Sequence, residues 1–140
     1  MEFLLDTNVL SEAVKTTPNQ NVLTMMKRHQ SQISTAAPVW HELKYGCVRL
    51  PRSRKRSAIE TFLNDVILPN IPVLAYDQRA AGWHALQRER LTSLGQTPSF
   101  VDGQIAAITA IHDLVLVTRN VRDFEFYEDL KITDWHKSSD

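Results

Sequence analysis

The sequence predicts an α/β fold: a three-layer α/β/α sandwich with a central parallel sheet of four to five strands. Short apolar runs bounded by polar residues alternate with segments in which apolar residues recur at helical spacing. This alternation is typical of parallel sheets that are covered by helices on both faces. No repeat, low-complexity tract or linker rich in glycine and proline interrupts the 140 residues, so we expect a single domain over residues 1–140.

The first half of the chain is predicted to contain two strands and four helices. Residues 3–5 are a short apolar run, and the polar residues 6–8 that follow can cap a helix reaching Val14. Pro38 suits the first turn of a third helix, because a proline there costs no intrahelical hydrogen bond. Pro69 is expected to end the fourth helix. The remaining predicted elements of this half are a helix over 21–30, a strand over 32–35 and a helix over 53–67.

The second half is predicted to contain two strands and two long helices. Asp77 and Ser99 are of the residue types that accept hydrogen bonds from the first amides of a helix, and Gly95 suits a helix end. Four consecutive apolar residues over 114–117 give the clearest buried strand of the chain. The predicted elements are a strand over 73–76, helices over 77–93 and 99–111, and the strand over 114–117.

Composition describes an ordinary folded protein and excludes several classes. Hydrophobic residues make up 43% and charged residues 23% of the chain, which argues against disorder. Sixteen basic and sixteen acidic residues balance, so net charge alone does not indicate a nucleic-acid binder. The single cysteine, Cys47, has no disulfide partner and is expected to be buried. The N-terminus has neither a basic export region nor a long apolar stretch, so we expect a cytoplasmic protein without membrane contact.

Three acidic residues are candidates for one catalytic site. Asp6 follows the first strand, where ligands of α/β sheets usually bind, although capping the first helix would also explain it. Glu42 lies on the same helical stripe as Val39 and Gly46, so we expect it to face the interior, or else to reach solvent from the helix edge. Asp102 stands three residues after Ser99, which allows either a capping role or a ligand role.

Polar residues also follow the last predicted strand. Thr118, Asn120 and Asp123 could orient ligands or hydrogen-bond a metal-bound water, or they could form an ordinary strand-to-helix turn. Oxygen ligands are those that Mg²⁺ and Mn²⁺ prefer, and Mg²⁺ is usually held by one or two carboxylates. A cluster of acids at a sheet edge therefore predicts metal-assisted hydrolysis of a phosphodiester.

Four motifs in order resemble the PIN-domain family, and in particular its VapC-like and FitB-like toxin ribonucleases. The resemblance covers nearly the whole chain, through residues 4–12, 39–46, 102–107 and 117–120. It implies that Asp6, Glu42 and Asp102 are the acids of the family, with Asp6 and Asp102 as the most direct Mg²⁺ ligands and Mn²⁺ as a substitute. Many relatives place a fourth acid where this chain has Asn120, which we include as a catalytic candidate. Supporting roles are predicted for Thr7, Asn8, Thr118 and Asp123.

The same resemblance implies an activity and a set of partners. It indicates a magnesium-dependent endoribonuclease, the toxin of a type II toxin-antitoxin pair, that cleaves RNA and so inhibits translation. A transfer RNA loop is the expected substrate, because unpaired RNA is where specific recognition usually occurs. The implied partners are a VapB-like antitoxin whose tail blocks the active site, a second copy of the chain, and operator DNA through the antitoxin only.

Two other functions fit part of the sequence. Asn120 brings no charge to the fourth position, so the domain could be a catalytically weak module that acts mainly in complex with a DNA-binding antitoxin. A phosphotransferase of another α/β type also uses an aspartate after its first strand. It normally has a second aspartate two residues later, where this chain has Asn8, and no glycine-rich phosphate loop is present.

Overall fold

A computed structural model describes residues 1–137 of the chain. Its centre is a five-stranded sheet in which all neighbouring strands are parallel, in the order β3-β2-β1-β4-β5. The predicted three-layer α/β fold with a central parallel sheet is confirmed. The strands are β1 (Phe3–Leu5), β2 (Ile33–Ala36), β3 (Val73–Leu74), β4 (Val115–Val117) and β5 (Lys131–Thr133).

Helices connect the strands, and most lie close to their predicted positions. They are α1 (Thr7–Leu10), α2 (Gln20–Arg28), α3 (Ala37–Val48), α4 (Arg54–Thr61), α5 (Leu68–Asn70), α6 (Gln78–Ser93) and α7 (Phe100–Ile111). A 3-10 turn, Ser11–Val14, continues α1, and a second, Val121–Asp123, follows β4. A π-helical segment, Phe62–Ile67, joins α4 to α5.

Side-chain caps explain where several helices begin. Each capping side chain accepts a hydrogen bond from an amide in the first helical turn, which would otherwise lack a partner. Asp77 and Ser99 do this for α6 and α7, as the sequence predicts, with N···O distances of 3.0 and 3.2 Å. Asn19 caps α2 and Ser53 caps α4 in the same way.

The order of the strands places a crevice above the centre of the sheet. The chain runs from β1 outward to β2 and β3, and then crosses back to lay β4 on the other side of β1. Ligands of open α/β sheets bind at such a switch, outside the carboxyl ends of the two central strands. Leu5 is paired with Val117 at those ends, so Asp6 and Thr118 are the next residues of both strands. These two side chains begin the candidate site.

Three sequence predictions need correction or completion. The strand Lys131–Thr133 was not located, because three residues that include an exposed lysine carry too little apolar pattern. The fourth helix does not end at Ile67, since Pro69 occupies the first turn of α5, where its missing amide is not needed. The first helix is short and tightens into a 3-10 turn. Cys47 is buried, as expected.

No helix within residues 1–137 combines the length and the apolar character that crossing a membrane requires.

Candidate active site

Asp6 is the centre of the site and is almost fully buried, with 6% of its surface exposed. One carboxylate oxygen accepts a hydrogen bond from the amide of Thr7, at 2.8 Å, which makes Asp6 the cap of α1. The other accepts from the Thr118 hydroxyl at 2.8 Å, and the Asn8 amide lies at 3.5 Å. Asp6 therefore caps α1 with one carboxylate oxygen and contacts the end of β4 at the crevice with the other.

Burial raises the pKa of Asp6, and the hydrogen bonds from Thr118 and Thr7 offset only part of that rise. The charge of Asp123 raises this pKa further. No cationic side chain is among the groups that shift it. The carboxylate is thus positioned by neutral donors and kept without a counter-charge.

The polar network around Asp6 extends along the end of β4. The Thr118 hydroxyl, which donates to Asp6, accepts a hydrogen bond from the amide of Asn120 at 3.1 Å. The Asn8 side chain, next to Asp6, accepts from the amide of Arg119 at 3.0 Å. Thr7, Asn8 and Thr118 therefore have the orienting contacts that their predicted supporting roles require.

Glu42 reaches the site from α3, but its side chain is exposed, so the expectation that it faces the interior is wrong. Glu42 shares a helical stripe with Val39. Val39 is buried and Glu42 is exposed, so only part of that stripe faces the core. The Glu42 carboxylate accepts a hydrogen bond from the Thr7 hydroxyl at 3.2 Å. Although most of the side chain meets solvent, desolvation of its carboxylate at the site raises its pKa and the charge of Asp6 adds to this, against the Thr7 hydrogen bond.

Asp102 lies in the first turn of α7 and is partly buried. Its amide donates to the Ser99 hydroxyl, but its carboxylate is free to face the other acids. Burial raises the pKa of Asp102 to about 6, with further contributions from the charges of Asp6, Asp123 and Glu42, in that order. The start of α7 thus brings a third carboxylate to the crevice.

The fourth charge at the site comes from Asp123, not from position 120. Asp123 ends the 3-10 turn that follows β4, and its charge acts on both Asp6 and Asp102. Asn120 is exposed and contributes its backbone amide to the network through Thr118. The loop therefore places an acid beside the cluster three residues later than the position at which the family pattern suggests one.

Two buried aromatic residues near Asp102 carry polar groups and were not identified from the sequence. His84 of α6 packs closely on Gly103, so that a Cβ atom at position 103 would lie 2.2 Å from the Nε2 atom of His84. The Nδ1 atom of His84 is 2.8 Å from the Tyr76 hydroxyl. Tyr127 buries its hydroxyl without a hydrogen-bond partner within residues 1–137, and burial plus the charge of Asp102 raises its pKa to about 12. No local sequence pattern distinguishes either residue from an ordinary core residue.

The donor set of this cluster suits a small divalent cation. Within the part of the chain that the structure describes, no three His, Cys, Asp or Glu side chains stand close enough together to hold a metal by themselves. A Mg²⁺ ion needs fewer, because it is commonly held by one or two carboxylates and keeps several waters. Asp6 and Asp102 offer two such carboxylates whose mutual repulsion a cation would relieve.

The family model of the PIN domain matches residues 3–128 of this chain. The chain belongs to the PIN-domain family. Among curated proteins it is similar to toxin FitB of Neisseria gonorrhoeae, with 29% identity over 136 residues that cover 95% of this chain and 98% of the relative. It is also similar to the tRNA(fMet)-specific endonuclease VapC of Shigella flexneri, with 30% identity over 96% of this chain and 98% of the relative.

Solved structures give the same relationship. A crystal structure of FitAcB from Neisseria gonorrhoeae matches with a TM-score of 0.86 and 29% identity, over 95% of this chain and 97% of that one. The DNA-bound VapBC complex of Salmonella typhimurium matches with a TM-score of 0.83 and 27% identity, over 96% and 98%. The family recognised from four motifs is thus confirmed by comparisons that span the whole fold.

Proposed function

We propose that this protein is a divalent-metal-dependent endoribonuclease that hydrolyses RNA phosphodiester bonds as the toxin of a toxin-antitoxin pair. The observation that carries the proposal is the convergence of four carboxylates, from four separate segments, at the carboxyl end of β1. Burial and neighbouring negative charges raise the pKa of Asp6, Glu42 and Asp102, which costs folding free energy and is typical of sites whose ligand supplies the missing charge. The names of the FitB and VapC relatives, a toxin and an endonuclease, support the same activity.

Asp6 and Asp102 would hold the metal, Mg²⁺ with Mn²⁺ as a substitute. When bound, such a cation polarises a phosphate oxygen and stabilises the charge that develops on the leaving oxygen. Thr118 and Thr7 hold the Asp6 carboxylate in a fixed orientation, so little reorganisation is needed when substrate arrives. Glu42, at the open edge of the cluster, is placed to accept a proton from an attacking water.

Asp123 and Asn120 complete the proposed site on the side of β4. Asp123 adds the fourth negative charge, and the Asn120 side chain offers an amide oxygen that can accept a hydrogen bond from water. The charge of Asp123 thus compensates for the uncharged residue at position 120. It favours a working nuclease over the alternative of a catalytically weak module.

The substrate and partners of the relatives suggest those of this chain. The Shigella flexneri relative is named for a transfer RNA, so we propose a transfer RNA loop as substrate and inhibition of translation as the result. The FitAcB and VapBC structures support a small antitoxin as partner, through which operator DNA is bound. A homodimer is proposed on the same resemblance. The antitoxin tail would occupy the acidic crevice and block it.

A cleavage assay tests the activity. Chain freed of any partner is incubated with total RNA and Mg²⁺ or Mn²⁺, beside Asp6→Asn and Asp102→Asn. The matched control is Asp65→Asn, the same change at an exposed aspartate outside the site. Wild type and control should yield the same fragments, and the two site variants should lose at least about 100-fold in rate.

Identical fragments from the wild type and the site variants, or cleavage that continues in excess chelator, would rule out this mechanism. Expression separates cleavage from binding. Growth arrest that persists in Asp6→Asn would favour the binding module instead.

A further inference from the structure

A groove beside the acid cluster carries basic side chains that the proposed chemistry does not use. Two adjoining cavities form it, of about 550 and about 370 Å³. Both are lined by Arg119 and Lys137, and one reaches Asn120 and Asp123 of the acid cluster. The groove therefore begins at the candidate active site and leads away from it. We call it the basic groove and define its cations as Lys15, Arg119, Arg122 and Lys137.

Three acidic side chains, Glu12, Asp123 and Asp134, also line the basic groove, and within residues 1–137 Glu12 and Asp134 have hydrogen-bond partners. Glu12 is 3% exposed and accepts hydrogen bonds from Lys15 and from the Asn19 amide. The His136 ring lies between Glu12 and Asp134. Its Nε2 atom is 3.4 Å from a Glu12 carboxylate oxygen, and its Nδ1 atom is 3.3 Å from an Asp134 carboxylate oxygen. Lys15 thus balances the charge of Glu12, and the backbone amide of His136 donates to Asp134 at 2.8 Å.

Three cations at its rim are candidates for contacting a ligand. Within residues 1–137, Arg119, Arg122 and Lys137 have no carboxylate within 4.0 Å of their charged nitrogens. Arginine presents a planar fork of donors that matches a phosphate, and lysine adds a mobile point charge. Arg119, Arg122 and Lys137 outnumber the two acids without a lysine or arginine partner in the described residues, Asp123 and Asp134, so the groove keeps a net positive charge beside the negative cluster.

The walls of the basic groove are fixed by hydrogen bonds, unlike an ordinary solvated run of charges. The Asn21 side chain donates to the carbonyl groups of Trp135 and Lys137, at 2.7 and 3.0 Å. The Asn19 side chain donates to the carbonyl of His136 at 3.2 Å. At the other wall, the amide of Arg119 is held by Asn8. Arg119 and Lys137 are thus attached to anchored backbone.

We propose that the basic groove binds the phosphates of the RNA strand adjacent to the phosphate that is cleaved. The inference rests on the proposed ribonuclease function. A strand with one phosphate at the acid cluster carries its next phosphates into a positively charged groove, the arrangement by which proteins track single strands. No Phe, Tyr or Trp lines either cavity, so the groove does not stack bases. It anchors the backbone without reading sequence.

Binding of a short single-stranded RNA of mixed sequence tests the proposal. The double variant Arg119→Gln/Lys137→Gln is compared with Lys27→Gln/Arg28→Gln, which removes the same charges from α2, outside the groove. Both groove residues use backbone atoms for their structural hydrogen bonds, so the substitutions leave those bonds in place. Affinity is measured by fluorescence anisotropy with chelator present, from about 50 to 200 mM salt.

We expect the groove variant to bind RNA about 10-fold more weakly at low salt, and the α2 variant to stay within about 2-fold of wild type. The slope of log affinity against log salt should fall by about 1.4, because each lost phosphate contact removes about 0.7 for a single strand. In the cleavage assay the groove variant should raise KM and leave kcat near its wild-type value.

An unchanged affinity and salt slope, or an equal loss in the α2 variant, would overturn the proposal. So would a loss of antitoxin binding with RNA affinity retained, which would make the groove a protein interface. Failure of the proposed function looks different. In that case the wild type does not cleave RNA with Mg²⁺, whereas the binding measurement is made in chelator and is independent of cleavage.

Discussion

Two buried carboxylates, six positions apart, lie in opposite electrostatic environments. Asp6 and Glu12 are 6% and 3% exposed, at the two ends of the first helical segment. Burial raises the pKa of Asp6, and the charge of Asp123 adds to that effect. Burial acts on Glu12 in the same direction, but hydrogen bonds from Lys15, Asn19 and His136 outweigh it and lower its pKa to about 2. The pKa values of Asp6 and Glu12 shift in opposite directions because their hydrogen-bonding and charged neighbours differ, and not because one is more deeply buried.

This contrast separates a structural acid from a functional one. Glu12 joins the 3-10 turn to the start of α2 and to the C-terminal stretch that carries His136, so its charge stabilises the fold. Within residues 1–137 no cationic side chain pairs with Asp6, which lies among the charges of Asp123 and Asp102, so its charge costs stability until a ligand arrives. Clusters of the second kind are typical of sites that trade stability for activity.

The largest effect is expected from Glu12→Gln, which keeps the shape and removes the charge. Its pKa falls from 4.5 to about 2, which would correspond to about 3 kcal/mol at full strength. Lys15 is 46% exposed, so solvent screens part of this interaction, and we expect a loss of about 2 kcal/mol in the free energy of unfolding. Urea unfolding at pH 7 measures it, with the exposed Glu89→Gln as control. Equal stability of all three proteins would contradict the structural role.

The stability lost in Glu12→Gln should depend on pH. A carboxyl whose folded pKa is lowered contributes stability above its unfolded pKa and loses it as the pH falls through the folded value. The wild type should therefore exceed the variant by a constant amount above pH 5, and the gap should shrink from about pH 4.5 toward 2. Unfolding midpoints measured across this range test the sign, and a gap that widens in acid would refute it.

A smaller effect is expected from Thr118→Val, which removes the hydroxyl that orients Asp6 while keeping the side-chain shape. We expect about a 10-fold loss in cleavage rate, equal to about 1.4 kcal/mol, because an incorrectly positioned carboxylate stabilises the transition state less well. The matched control is Thr109→Val. Thr109 is equally buried, but its hydroxyl donates to the carbonyl of Ile105 within α7. A similar loss in both variants would indicate a packing effect instead.

The sequence predicted those parts of the site that follow directly from strand order. Asp6 and Thr118 were located because parallel strands end at one edge, and the apolar runs before them mark where β1 and β4 stop. Asp102 was located by its place in the first turn of a capped helix. In each case a local pattern fixes the residue's position along an element, and the fold class fixes the element.

The parts that failed depend on distances between elements, which local patterns do not contain. Glu42 was expected to face the interior, but it is exposed while Val39, on the same stripe of α3, is buried. The choice between Asn120 and Asp123 depends on the 3-10 turn after β4, which rotates Asp123 toward the cluster. The network of Glu12 joins residues over one hundred positions apart, so only the folded chain brings His136 to it.

The smallest expected effect is a change in stability whose sign is opposite at Asp102 and at Glu12. Asp102→Asn removes a charge whose folded pKa is raised to about 6, so it should stabilise the metal-free protein at pH 7 where Glu12→Gln destabilises it. The site is partly open, and after screening we expect a gain of about 1 kcal/mol. A carboxyl whose folded pKa is raised makes the protein less stable as the pH rises through that folded value. The stability gained by Asp102→Asn should therefore vanish below about pH 4, where the carboxyl is protonated in both the folded and the unfolded state. Thermal unfolding with chelator measures it, beside Asp65→Asn.

Added Mg²⁺ should reverse this order, because a ligand that binds only the folded state stabilises it by RT ln(1 + [L]/Kd), and Asp102→Asn weakens that binding. The wild type should then unfold at a higher temperature than Asp102→Asn, while Asp65→Asn follows the wild type. A wild type that gains nothing from Mg²⁺ or Mn²⁺ would mean that the acids repel one another for some purpose other than holding a cation. The contrast between Asp6 and Glu12 would then lose its functional meaning.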